Sequence, residues 1–127
     1  MKTCLIVDDS KIVRKVVRRI IESLGYAVIE AENGQEALDQ VRAHPVSLIM
    51  LDWNMPVMDG LECMKQLRAD ASIDPQPTVI FCTTENEFGK IQTAIMAGAN
   101  EYVMKPFDEA IIAGKLEQLG LLQGGAS

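Results

Sequence analysis

The chain repeats one pattern five times: a short apolar run that stops abruptly, then a longer stretch with its apolar residues at helical spacing. The runs occupy residues 4–7, 26–30, 48–51, 78–82 and 102–104. Apolar runs this short read as strands buried on both faces. Strict alternation of strand and helix predicts an α/β fold, a doubly wound parallel sheet of five strands with five helices on its two faces.

The helices carry their own punctuation. The first is capped by Asp9 or Ser10, places Ile12, Val13, Val16, Val17, Ile20, Ile21 and Leu24 at helical steps, and ends at Gly25. The second follows the Asn33-Gly34 turn, covers 35–42 and stops before Pro45. The third is expected over 60–68, the fourth over about 88–97, and the fifth from an Asp108 cap to about residue 119.

At 127 residues the chain is long enough for one domain, expected over 1–121, with 122–127 as a flexible tail. No run reaches membrane-spanning length and the N-terminus lacks a signal peptide's apolar core. Three cysteines, Cys4, Cys63 and Cys82, have neither an even count nor metal-ligand spacing. Cys4 and Cys82 fall inside strand runs, so buried reduced thiols and a reducing cytoplasm are expected. A net charge of −6 argues against nonspecific DNA binding, and no DNA-binding domain is legible. A monomer is expected.

Chemistry gathers at the strand ends. The stretch 46–60 runs from Leu48-Ile49-Met50-Leu51 straight into Asp52, and then into Asn54, Pro56, Asp59 and Gly60, which break strands and make turns. Asp8-Asp9 follow the first strand, Thr83 the fourth and Lys105 the fifth. In an open α/β sheet those carboxyl ends converge on the ligand site. Three carboxylates beside a single lysine repel one another unless something neutralises them. Mg²⁺ suits such a place, because it takes a few carboxylate oxygens, keeps waters and favours phosphate as co-ligand. A lysine and a hydroxyl complete a phosphate-binding set.

These residues, Asp8-Asp9, Asp52 with Met55-Pro56 and Asp59-Gly60, Thr83, and Lys105-Pro106, resemble the receiver domains of two-component response regulators, most closely the single-domain CheY type. Each dipeptide is weak alone, whereas the ordered set is specific and spans nearly the whole chain, from Cys4 to about Leu119. The resemblance implies the flavodoxin-like strand order 2-1-3-4-5, for which CheY is itself a standard instance. It implies Asp52 as phosphoacceptor, a carboxylate nucleophile forming an acyl phosphate. It implies Asp8, Asp9, Asp52 and the backbone carbonyl of Asn54 as Mg²⁺ ligands, Lys105 and Thr83 as partners of the phosphoryl group, and Tyr102 as the switch aromatic. It further implies a cis peptide at Lys105-Pro106, and a response surface on the fourth helix, fifth strand and fifth helix. The phosphodonor would be a histidine kinase or a histidine phosphotransfer protein. With no output domain after Leu119, the signal is expected to leave through an unknown downstream protein or by onward phosphotransfer in a phosphorelay. Such a protein is a switch with self-catalysed phosphotransfer rather than a turnover enzyme.

Two other classes compete. A phosphatase of the haloacid dehalogenase type also uses a strand-end Asp and Mg²⁺, but it carries a second acid two residues on, where this chain has Asn54. A nucleotide- or flavin-binding module would have a glycine-rich first turn, where this chain reads Asp8-Asp9-Ser10-Lys11. Several side chains allow two readings. Trp53 is a gate or metal reporter, or else a partly exposed loop aromatic. Thr84 stands where the resemblance implies a smaller residue, so it either narrows access to the phosphoryl site or is an ordinary loop residue, and Glu85 either tunes hydrolysis or is a solvated helix-entry acid. Met50, Met55, Met58, Met64, Met96 and Met104 read as core and loop filling. His44, before Pro45, is no phosphodonor. Lys11, Arg14, Lys15, Arg18 and Arg19 form a basic stripe on the first helix. That stripe is a wet helix face, a dock for an acidic partner such as the phosphodonor, or a site for a nucleotide second messenger.

Overall fold

In the computed structural model, which describes residues 2–84 and 88–122, five parallel strands lie in the order β2-β1-β3-β4-β5. Chain order is β1 (Thr3–Val7), α1 (Lys11–Ser23), β2 (Ala27–Ala31), α2 (Gly34–Ala43), β3 (Leu48–Asp52), α3 (Gly60–Ala69), β4 (Thr78–Thr83), α4 (Phe88–Met96), β5 (Glu101–Met104) and α5 (Glu109–Gln118). The expected fold class and strand order are both observed. Glu85 and residues 123–127, most of the expected tail, fall outside the described residues. Leu122, counted with that tail, instead packs partly against the core beside Leu119 and Leu121.

Side chains alternate across each strand, so one sheet feeds two cores. Leu5, Val7, Ile49, Leu51, Val79 and Phe81 face α2, α3 and α4, where Leu38, Met64, Leu67 and Ala94 meet them. Cys4, Ile6, Leu48, Met50, Ile80, Cys82 and Val103 face α1 and α5, against Val17, Ile21, Ile112 and Leu116. Fully apolar strands are what a sheet covered on both faces requires. All three cysteines are free and buried. Burial lifts the thiols of Cys63 and Cys82 to about 12, which keeps them protonated and unreactive.

Polar side chains start the helices, at Ser10 and Asp108 as expected and also at Asn33 and Asp59, which the sequence marks only as turn residues. Ser10, Asn33, Asp59 and Asp108 each accept a backbone N–H from three residues on, from Val13, Glu36, Glu62 and Ile111. Ser10, rather than Asp9, is thus the cap of α1. Its neighbour Asp9 stays exposed.

Three expectations about side-chain burial need correcting. Ile12 and Val16 are 78% and 52% exposed, because the apolar stripe of α1 is wider than the face the sheet can cover. Together with Val13, Val17, Pro106 and Phe107 they line an open apolar cleft of about 480 Å³. Met96 and Met104 are not filling either, being 81% and 41% exposed. The basic stripe of α1 is broken: Arg14 is buried, and Arg18 is ion-paired to Glu22 and Glu30. Lys11, Lys15 and Arg19 remain on the exposed side.

Candidate functional site

The sheet register builds the site. Val7 of β1 lies beside Leu51 of β3, so Asp8 and Asp52, one residue further on, reach the same level at the carboxyl edge. Asp52 lies beside Cys82, and Thr83 lies beside Met104, which brings Thr83 and Lys105 to the next step of that edge. Thr83 is the last residue of β4 rather than the first of the following loop, and its backbone carbonyl accepts the Lys105 N–H at 2.6 Å. The Lys105-Pro106 peptide is cis, as expected.

Asp8, Asp9 and Asp52 each offer a carboxylate oxygen within 4.8 Å of the other two. The Lys105 ammonium bridges two of these acids, 2.9 Å from Asp52 Oδ1 and 3.1 Å from Asp8 Oδ2. Burial pushes the Asp52 carboxyl above its ordinary value. Lys105 pulls it back through a hydrogen bond and its charge, while the Asp8 charge adds to the rise. Burial alone would depress Lys105, yet its bonds and charge contacts with Asp52 and Asp8 outweigh that and raise it, so the ammonium stays protonated. Three acids and one cation leave a net charge of about −2 in a half-buried corner. The Thr83 hydroxyl is buried and has no hydrogen-bond partner among the described residues. A buried, unsatisfied hydroxyl is costly, and it is where an incoming oxyanion would find a donor.

The loop after Asp52 is pinned from two sides. The Gly60 N–H bonds to the Trp53 carbonyl at 2.8 Å, and the Gly34 N–H to the Met58 carbonyl at 3.0 Å. Both glycines are required by close approach: a Cβ at Gly60 would collide with the Asp52 carbonyl, and one at Gly34 would come within 2.8 Å of the Met58 carbonyl. Trp53 is not the partly exposed loop aromatic that was one of its two readings. It is 8% exposed, packs its ring 5.2 Å from Phe81, and carries Lys90 of α4 over its ring at 5.1 Å. Asn54 and Thr84 are exposed. Tyr102 is partly buried, with the Lys115 ammonium 4.8 Å from its ring centre.

The structure therefore gathers Asp8, Asp9, Asp52, Thr83 and Lys105 in one place, with Asn54 on the adjoining loop and Tyr102 one strand away. The sequence placed Arg14 only on the basic stripe of α1, whereas its guanidinium donates to the Asp8 carbonyl at 2.7 Å. The available signal was the acid Glu30 in an otherwise apolar strand, which calls for a buried cation opposite it.

Comparison with known proteins places the chain in a family. Residues 4–117 match the family model of the response regulator receiver domain. The chain is 39% identical over 117 residues to a chemotaxis protein CheY homolog of Campylobacter jejuni, covering 91% of this chain and 89% of that protein. It is 40% identical over 115 residues to chemotaxis protein CheY1 of Helicobacter pylori, covering 89% and 92%. The chemotaxis response regulator CheY4 of Vibrio cholerae superimposes with a TM-score of 0.84 at 32% identity, over 94% of this chain and 98% of that one. With its fold, its strand-edge acids and these relatives in agreement, the chain belongs to the response regulator receiver domain family.

Proposed function

We propose that this receiver accepts a single phosphoryl group on Asp52, in a Mg²⁺-dependent reaction with a phosphohistidine donor, and thereby switches a protein-binding surface. The observation that carries this reading is the pairing of a half-buried carboxylate with two waiting partners: Lys105 already on it, and the unpartnered hydroxyl of Thr83 one strand away. The Asp52 carboxylate attacks phosphorus; its O–P bond forms as the donor's P–N bond breaks, and the freed imidazole nitrogen takes up a proton. Lys105 offsets the roughly −1.5 to −2 charges that arrive, and Thr83 supplies a hydroxyl hydrogen bond once its strand end shifts.

The residues present fit a divalent ion. Asp8, Asp9 and Asp52 are hard oxygen donors within reach of one another, the net negative corner needs a counter-charge, and the exposure of Asp9 leaves room for water ligands. These three carboxylates and the Asn54 backbone carbonyl would hold Mg²⁺, which when bound supplies charge neutralisation to the transferring phosphoryl group.

The response would run through Thr83 and Tyr102 to α4, β5 and α5, where Ile95, Met96, Met104 and Ile111 are already exposed. A histidine kinase or histidine phosphotransfer protein would approach over α1. Arg14 and Arg18 are already committed to Glu30, so Lys11, Lys15 and Arg19 carry whatever steering charge that face has, around the apolar cleft at Ile12 and Val16.

Incubation with Mg²⁺ and acetyl phosphate should add one phosphoryl group per chain by intact mass, and EDTA should prevent it. Asp52→Asn should show no addition; persistent labelling of that variant would refute the assignment. A phosphatase would instead turn over a pool of donor without stoichiometric limit.

A further inference from the structure

Among the described residues, three polar or charged side chains are buried: Asp8, Thr83 and Arg14. The first two belong to the strand-edge site. Arg14 lies on α1, yet its fork is spent inward. Nη1 donates to the Asp8 carbonyl at 2.7 Å and Nε to Glu30 Oε1 at 2.8 Å, with Nη2 3.8 Å from Glu32 Oε1. The rest of Asp8 is equally fixed. Its N–H bonds to the Ala31 carbonyl at 3.2 Å, and its Oδ1 accepts the Ser10 N–H at 2.9 Å. The Asp8 carbonyl is the group for which the sheet has no use, since β1 ends at Val7. A buried carbonyl past the end of a ladder needs a donor from elsewhere.

We propose that Arg14, itself held by Glu30, is a positioning residue for the acidic turn: by clamping the Asp8 carbonyl it fixes the backbone that aims Asp8 and Asp9 at the same divalent cation as Asp52. This rests on the reading of those three acids as a Mg²⁺ site. It differs from two plainer roles by sign. A guanidinium that acted only by its charge would oppose a cation next door, so its removal would tighten Mg²⁺ binding. One that only fastened α1 to β2 would change the melting temperature and leave the affinity of the folded protein alone. A positioning role makes removal weaken binding, as loss of groups that orient metal ligands generally does.

The test is titration of the full chain with MgCl₂ by isothermal calorimetry, well below the melting temperature of each variant. Arg14→Gln should weaken the Mg²⁺ dissociation constant about tenfold. Arg14→Lys keeps the charge but cannot serve Asp8 and Glu30 with one planar fork, so it should recover part of the loss. Glu30→Gln, which touches no ligand, should weaken binding in the same direction by a smaller factor. Parent-like or tighter binding in Arg14→Gln overturns the proposal while leaving the metal site standing. If that variant does not fold, parent-like affinity in both Arg14→Lys and Glu30→Gln overturns it instead. A parent that binds no Mg²⁺, with Asp9→Ala indistinguishable from it, refutes the metal reading and this inference with it.

Discussion

Val57 sits at the tip of the loop between β3 and α3 with φ +69°, and around it the Met58 N–H bonds to the Pro56 carbonyl at 2.7 Å. A three-residue turn closed about a positive φ is the rare, strained hand of the γ-turn. A β-branched side chain is poorly suited to that conformation, because its Cβ crowds the neighbouring carbonyl and its rotamers are few. Nor is there compensating burial, as Val57 is 83% exposed. The conformation is imposed from outside by the Gly34 bond to Met58, the Gly60 bond to Trp53 and the Asp59 cap of α3.

Holding a residue with a Cβ at positive φ in so sparsely populated a conformation costs roughly 1–3 kcal/mol. Val57→Gly removes that strain but returns about 0.4–1 kcal/mol of freedom to the unfolded chain. Val57→Asn keeps a side chain, but one that takes positive φ more readily than a β-branched residue does, with less added freedom. Either change should stabilise the protein by about 1 kcal/mol, which at an m-value of about 2 kcal/mol/M moves the urea midpoint up by roughly 0.5 M without altering the slope. In a thermal scan the same gain is roughly 3–5 °C for a chain this size. Val57→Ala, which retains the Cβ, should gain less than either. Gly and Asn variants with midpoints at or below the parent's would refute the strain argument, as would an Ala variant that gained as much as Gly.

Two further outcomes follow from the site and its surroundings. Thr83→Val replaces a buried hydroxyl that has no partner among the described residues by a methyl of similar size, so the unphosphorylated protein should gain about 1 kcal/mol in urea denaturation; a loss of stability would refute this. Burial would raise the Glu30 carboxyl, but hydrogen bonds from Arg18 and Arg14 outweigh it and hold the group below its ordinary value. A depressed carboxyl contributes stability above its unfolded pKa, near 4.3, and loses it as pH falls through the folded value. The melting gap between parent and Glu30→Gln should therefore be full at pH 7 and close below about pH 4, whereas a pH-independent gap would sink the ion-pair account.

The fold was legible because its signals are local. Period, caps and breakers placed every strand and helix within a residue or two, and Asp108 announces a helix start by its position alone. The strand-edge acids were legible because strand ends in a parallel sheet share one edge. What escaped depends on contacts between distant segments. Arg14 looks solvated until β2 brings Glu30 beneath it, and that pairing is a matter of register rather than of helix spacing. Trp53 keeps two readings, one of them a partly exposed loop aromatic, until Phe81 and Lys90 enclose it. Val57 reads as an ordinary loop residue until Gly34 fastens the next carbonyl and forces its backbone positive.

The site is unevenly braced, and that asymmetry bears on how a phosphoryl group on Asp52 would act. On the β1 side Asp8 is held through its N–H, its carbonyl and both carboxylate oxygens, and the Arg14–Glu30 pair behind it is partly buried. Moving that side would break charged hydrogen bonds, each worth about 1.5–3 kcal/mol. On the β4 side the Thr83 hydroxyl has no hydrogen-bond partner among the described residues and Thr84 is exposed, so no charged side-chain hydrogen bond holds that strand end, which is tied to β5 by backbone bonds and can shift together with it. Lys105 spans the two sides, its ammonium on Asp8 and Asp52 and its N–H on the Thr83 carbonyl. Under the proposed reading, a new oxyanion on Asp52 competes for that ammonium and offers Thr83 its missing partner. Both effects fall on β4 and β5, which lead to α4 and α5 and their exposed Ile95, Met96, Met104 and Ile111. A rearrangement follows the side where the fewest bonds must be broken, and in this chain that side leads to the apolar surface.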